Sequence, residues 1–164
     1  MWTTRDWDRK VAVFSAFFES LKRRSLLANA SKSLCIGARV GQEVAAVKWV
    51  GVSDSVGIDL VPYPSLVPKG DFHRQPFADG TFDFEFSNVF DHALYPGRFI
   101  GEIERTLRPD GICVLHVLVS KRADKCQNGW AQLVTHQEVT RISEMTKRHI
   151  SCSGRHISKM VTGM

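Results

Sequence analysis

The sequence predicts an α/β protein built on a doubly wound, mainly parallel sheet, and three strand-end signals between residues 33 and 88 carry that expectation. Leu34-Cys35-Ile36-Gly37-Ala38-Arg39-Val40-Gly41 is an apolar strand running into a glycine turn. Val56-Gly57-Ile58-Asp59 ends a second strand on a carboxylate. Gly70-Asp71-Phe72 leads, through Gln75-Pro76-Phe77, to a third strand that stops at Ser87-Asn88. Ligands of open α/β sheets bind outside the carboxyl ends of the strands. A glycine turn and two strand-end carboxylates there describe a nucleoside-shaped site.

The elements follow in order. Residues 8–27 place Val11, Phe14, Phe17/Phe18 and Leu21 at three- and four-residue spacing with charges between, the pattern of a helix packed on a sheet or closing over a ligand. Residues 34–37 form a buried strand and residues 40–49 a helix, with Gly51 placed as its C-terminal stop. Residues 56–60 are the second strand. Three prolines between Val61 and Pro68 forbid a regular helix after it, so an extended loop stands in for the usual crossover helix. In residues 81–87 Phe82, Phe84 and Phe86 alternate with Asp83 and Glu85. Pro96 opens a helix over 96–107, Pro109-Asp110-Gly111 turns out of it, and residues 112–119 are the most apolar strand. Strands alternating with helices in this way argue a parallel sheet. Beyond Ser120 the pattern weakens: residues 121–129 are polar, 134–150 suit one weak helix carrying Val139, Ile142, Met145, Thr146 and Ile150, and the tail looks short of a full sheet edge.

Size and composition bound the rest. A chain of 164 residues with 43% hydrophobic and 24% charged residues is one ordinary globular domain, divided into an N-terminal helix (1–32), a ligand-binding core (33–120) and an atypical tail (121–164). The net charge of +5 is spread over short clusters such as Lys22-Arg23-Arg24. No continuous basic stripe points to nucleic acid, although basicity alone leaves that partner open. None of Cys35, Cys113, Cys126 and Cys152 forms a C-x-x-C pair; Cys35 and Cys113 fall in apolar strand-like runs, so buried free thiols there and a reducing, cytoplasmic setting are expected. Neither a signal peptide nor a membrane span is evident.

The glycine turn narrows the ligand. A dinucleotide fingerprint starting at Gly37 would need glycines where Arg39 and Gln42 stand, and no G-K-[ST] follows for a P-loop. Asp59, 22 positions after Gly37, can accept hydrogen bonds from a ribose diol. Asp71 can accept from the exocyclic amine of adenine while the backbone N–H of Phe72 donates to the ring.

Taken together, these motifs across residues 37–118 resemble the class I S-adenosylmethionine-dependent methyltransferases, in particular the type 11 domain with its Rossmann-like sheet. Asp71-Phe72-His73-Arg74-Gln75-Pro76-Phe77-Ala78-Asp79-Gly80-Thr81-Phe82-Asp83 is similar to that family's adenine-binding motif and the strand after it. Glu102-Ile103-Glu104-Arg105-Thr106-Leu107-Arg108-Pro109-Asp110-Gly111 is similar to its E-x-x-R-V-L-K-P-G-G pattern. Cys35-Ile36-Gly37-Ala38-Arg39-Val40-Gly41-Gln42-Glu43-Val44 resembles a plant methyltransferase-like subgroup.

The resemblance implies S-adenosylmethionine as cofactor. Gly37, Ala38 and Gly41 would face its methionine part, Asp59 and Leu60 the ribose, Asp71 and Phe72 the adenine, and Asn88 and Val89 the sulfonium. It further implies methyl transfer to an unidentified acceptor, with Asp91 and His92 as candidates for a base. No N-P-P-Y signature follows the third strand, where Ser87-Asn88-Val89-Phe90 stands. Trp2, Trp7 and Tyr63 are candidate pocket aromatics or packing residues. Three features depart from the pattern. Cys35 replaces the acidic residue that orients the cofactor's amino group, Arg39 replaces the central glycine, and the helix between strands two and three is missing. These motivate a second expectation, a catalytically inactive Rossmann-like interaction module, with a protein partner covering the C-terminal sheet edge.

Overall fold

Strand β1 (Ser33–Ile36) lies between two parallel neighbours, β2 (Ser55–Ile58) and β3 (Phe82–Ser87). In this computed structural model, which describes residues 4–117 and 130–135, the sheet continues to β4 (Leu107–Val117) and β5 (Trp130–Thr135) in the order β2-β1-β3-β4-β5. Strands β1 to β4 are parallel and β5 is antiparallel to β4. The mainly parallel α/β sheet expected from the sequence is therefore present. One correction concerns Val134 and Thr135, assigned above to a helix: they pair in β5 with Cys113 and Ile112. The rest of that helix, Cys126, Cys152 and Trp2 lie outside the described residues.

Helices cover both faces. Helix α1 (Thr4–Arg23) and helix α2 (Gln42–Trp49) pack on one side. There Phe18 meets Phe86 edge-on with ring centroids 5.2 Å apart, and Phe14 and Phe17 meet the same ring. Helix α3 (Pro96–Thr106) covers the other side through Phe99, Ile100 and Ile103 against Leu34, Ile36 and Ile58. Period-two alternation along β1 explains the split, since Leu34 and Ile36 face α3 while Cys35 faces α1 and α2. Cys35 and Cys113 are buried free thiols, pushed up in pKa by burial first and by neighbouring carboxylates second. No helix among the described residues is long and apolar enough to cross a membrane.

Element ends shift for local reasons. Helix α1 stops at Arg23 because Ser25 takes a left-handed φ of 59° and Leu26 N–H returns to the Leu21 carbonyl. Gly51 at φ 95° closes α2, with its N–H on the Lys48 carbonyl. Helix α2 begins at Gln42 rather than Val40, since Gly41 at φ 86° is its N-cap. Residues 108–111 form an excursion within β4: Leu107 pairs with Phe82, and the next pairing is Ile112 with Phe84. Such a bulge re-aims side chains, and Phe82 packs with α3 while Phe84 and Phe86 pack with α1 and α2.

The ends of β1 and β3 touch. Gly37, at φ +73°, lies so close to Val89 that a Cβ there would stand 2.3 Å from Val89 Cγ2. Gly101, within α3, has open space around it. Replacing Gly37 by Ala combines a left-handed backbone with a clash, a loss of about 1–3 kcal/mol. Gly101→Ala is expected to gain up to about 1 kcal/mol from helix propensity. Urea melts of the two variants check the opposite signs.

Glu85 breaks the expected alternation of buried rings and solvated acids on β3. It is fully buried, with Oε1 2.7 Å from Thr106 Oγ1 and Oε2 without a partner among the described residues. Burial pushes its pKa up to about 8, opposed by the Thr106 hydrogen bond and by Arg105. The folded chain thus holds a proton that the unfolded chain releases at about pH 4.5. Stability is fully present below that point and falls as pH rises through 8. Glu85→Gln, an isostere without that proton equilibrium, is expected to flatten the decline between pH 5 and 9 in urea titrations.

Candidate functional site

The turn after β1 is held from β2. The N–H groups of Gly37 and Ala38 both donate to the Ile58 carbonyl, at 2.9 and 3.1 Å. One residue on, Asp59 accepts from Arg39 N–H through Oδ2 and from Val61 N–H through Oδ1, each at 3.0 Å. Arg39 sits at φ 46°, so the left-handed geometry expected of the replaced glycine persists with a side chain on it. Such a residue carries a conformational cost of about 1–2 kcal/mol, offset here by the bond to Asp59. Asp59 therefore lies beside the glycine turn, as its position in the sequence suggested.

The loop after β2 contains no helix. It runs back along β2 through the pairing of Asp59 with Lys69 and the bond from Gly70 N–H to the Asp59 carbonyl at 2.9 Å. This brings Asp71 to the same edge. Asp71 Oδ1 accepts from His73 N–H at 2.8 Å and lies 3.1 Å from His73 Nδ1. His73 Nε2 in turn accepts from Tyr95 N–H at 3.3 Å, which places the ring proton on Nδ1, toward Asp71. Phe72 packs edge-on against Phe99, ring centroids 5.1 Å apart. Tyr63 packs against Trp7, and neither ring lines the cavity described next.

Between α1, the glycine turn and the end of β3 lies a cavity of about 210 Å³. Gly37, Asn88, Val89 and His92 line it, as do Arg39, Val40 and three residues the motifs did not single out, Lys10, Gln42 and Glu43. Ala38 is buried behind the wall and Gly41 within the N-cap of α2. Asp59, Leu60, Asp71 and Phe72 lie outside the cavity along the strand ends. Asp91 and His92 occupy a 3-10 turn (Phe90–His92), with His92 Nε2 3.8 Å from Asp91 Oδ2. That is beyond hydrogen-bond length but within ion-pair range, and of the two residues His92 alone lines the cavity.

Glu43 is the central charge. It stands in the first turn of α2, 8% exposed, and its Oε1 accepts from Asn88 Nδ2 at 3.0 Å. Burial raises its pKa, while its own backbone N–H, Asn88, Lys10 and Arg39 pull the other way. Gln42, 4% exposed, buries its Nε2 with no hydrogen-bond partner among the described residues. A carboxylate, an orphaned amide donor and two nearby cations suit a ligand carrying both charges. The signal for these residues was their place directly after the glycine turn, where a reading by apolar periodicity passes over polar helix starts. Among the described residues no cluster of His, Cys, Asp and Glu could hold a metal ion.

Comparison with known proteins bears on this arrangement. A family model described as a methyltransferase domain matches residues 34–115, half of the chain. No curated protein matches it. Among solved structures, a Galdieria sulphuraria protein assigned provisionally as a sarcosine dimethylglycine methyltransferase is 22% identical with a TM-score of 0.56, covering 64% of this chain and 45% of that one. The cyclase SpnF is 17% identical with a TM-score of 0.57 over 80% and 57% of the two chains. A geranyl diphosphate methyltransferase in complex with S-adenosylmethionine is 15% identical with a TM-score of 0.54 over 70% and 55%. At these identities the likeness concerns the fold, and this chain spans about half the length of these structures. Fold and family model agree: the chain belongs to the methyltransferase domain family, with the Rossmann-like class I fold.

Proposed function

We propose that the chain binds S-adenosylmethionine along the carboxyl edge of its sheet and transfers the methyl group to an acceptor entering beside His92. The observation that carries this reading is the grouping of Gly37, Asn88 and Val89 on one cavity wall, with Asp59 and Asp71 on the same sheet edge. Ligand pockets usually enclose about 300–1,000 Å³, so the cavity of about 210 Å³ suits the amino-acid and sulfonium end alone. The adenosine would then lie outward over Asp59, Leu60, Asp71 and Phe72.

The residues present fit such a ligand. Each oxygen of Asp59 holds one backbone N–H, and a carboxylate oxygen offers two lone-pair directions, so both can also receive a ribose hydroxyl. Asp71 uses one oxygen for His73, leaving the other for the exocyclic amine of adenine. The bound cofactor supplies an electrophilic methyl on a sulfonium. The chain's part is to hold the methyl in line with the acceptor, which is where such catalysis gains most. His92, its side chain 76% exposed at the cavity, takes a proton from acceptors that must lose one. The stretch from Cys35 to Val44 supports a place in the plant methyltransferase-like subgroup.

A second reading, an interaction module without catalysis, is favoured by one observation. Cys35 is buried among apolar side chains, where the family keeps a carboxylate. Calorimetric titration separates the two. S-adenosylmethionine and S-adenosylhomocysteine are expected to bind and NAD is not. Asp59→Ala is expected to lower affinity about tenfold or more, the worth of a hydrogen bond to a charged group. A folded chain that binds neither sulfur ligand overturns the methyltransferase reading.

A further inference from the structure

The cavity holds more charge chemistry than the motifs account for. We propose that Glu43, Gln42 and Lys10 form the subsite for the amino-acid end of the cofactor, Glu43 supplying from α2 the carboxylate that β1 lacks at Cys35. The inference rests on the reading of S-adenosylmethionine binding above and goes beyond it by moving the recognition of this end off the strand.

Three observations converge. Glu43 is buried at the cavity wall, one oxygen fixed by Asn88 Nδ2 at 3.0 Å, so its orientation is set before any ligand arrives. Cys35 points from β1 to the side of the sheet that α1 and α2 cover, the side on which α2 carries Glu43. Of the two, Glu43 alone lines the cavity, so an ammonium group placed in the cavity meets Glu43. On the same wall, Gln42 Nε2 is an amide donor buried without a partner among the described residues. A buried orphan donor costs about 1–3 kcal/mol, a penalty that a ligand carboxylate in hydrogen-bond reach removes. Lys10, from α1, adds a cation to the lining and draws the Glu43 pKa down. Carboxylate for ammonium, amide and ammonium for carboxylate: the set is complementary to an α-amino acid in its zwitterionic form.

The arrangement also gives α1 a second role. Phe14, Phe17 and Phe18 pack this helix on the sheet, and one to two turns earlier Lys10 comes to the cavity. Residues 37–41 then shape the backbone around the ligand, with Arg39 at the central position also lining the cavity.

Two ligands that share the adenosine and the thioether isolate the subsite. S-adenosylhomocysteine carries the amino-acid end, and 5′-methylthioadenosine lacks it. Calorimetry on the full chain is expected to show the wild type preferring S-adenosylhomocysteine. Glu43→Gln, which keeps an acceptor for Asn88, is expected to lose at least tenfold in affinity for S-adenosylhomocysteine while binding methylthioadenosine as before. Lys10→Met, a change on a helix surface, is expected to show the same selective loss if Glu43→Gln fails to fold. Unchanged affinity for S-adenosylhomocysteine in these variants, or equal loss of both ligands, overturns the subsite and leaves the methyltransferase reading standing. A wild type that binds neither ligand overturns both.

Discussion

The guanidinium of Arg105 anchors the ligand edge. Without a helix between β2 and β3, the segment from Asp59 to Thr81 docks on the core through separate side chains, Val67, Phe72 and Phe77, and lacks a continuous helix face. Arg105, from the last turn of α3, replaces that face with hydrogen bonds. Its Nη1 donates to the Phe77 carbonyl and to Asp79, and its Nη2 to the Gln75 carbonyl. Glu102 holds the fork by two bonds and itself accepts from Gln75 N–H at 2.6 Å. Burial alone would raise the Glu102 pKa, but the bonds from Arg105 and Gln75 hold it below the usual carboxylate range. The planar, multidentate geometry is one that lysine cannot reproduce. Asp71 and Phe72, four and three residues before Gln75, depend on this clamp for their place.

A second buried polar group connects the clamp to the sheet centre. Thr106 Oγ1 lies 2.8 Å from the Glu102 carbonyl, 2.7 Å from Glu85 and 3.2 Å from Gln75. One hydroxyl hydrogen cannot serve three acceptors. The hydroxyl donates to one of the three at a time, Glu85 Oε1 being the nearest. Loop, helix and central strand are thus joined through side chains, where most parallel sheets rely on a crossover helix.

Much of the fold was legible because its determinants are local. Apolar runs ending in Gly37 and Asp59, the prolines from Pro62 to Pro68, and Pro96 at the first position of α3 each act within a few residues. The carboxyl edge followed from strand order alone. What escaped depends on partners far apart in sequence. Glu85 reads as a solvated acid by alternation, yet Thr106, 21 positions on, makes burial tolerable. Glu43 reads as an ordinary helix-start acid until Asn88, 45 positions on, and Lys10 from α1 surround it. Asp91 and His92 lie within ion-pair range in a tight turn, and of the two only His92 lines the cavity. β5 was missed because its first four residues, 130–133, were given no element and its last two, Val134 and Thr135, were read into a helix.

The strand-end carboxylate of Asp59 has a consequence for the energetics of recognition. Two backbone N–H groups already immobilise it, so the rotational freedom of that side chain is surrendered during folding. A ribose diol bound there, as proposed, would meet an acceptor pair with little torsional entropy left to lose, and more of the contact enthalpy would survive as affinity. One of the two bonds also ties Asp59 to the backbone of the turn at Arg39. The edge therefore behaves as a template, complementary in advance, rather than as a surface that forms around its guest.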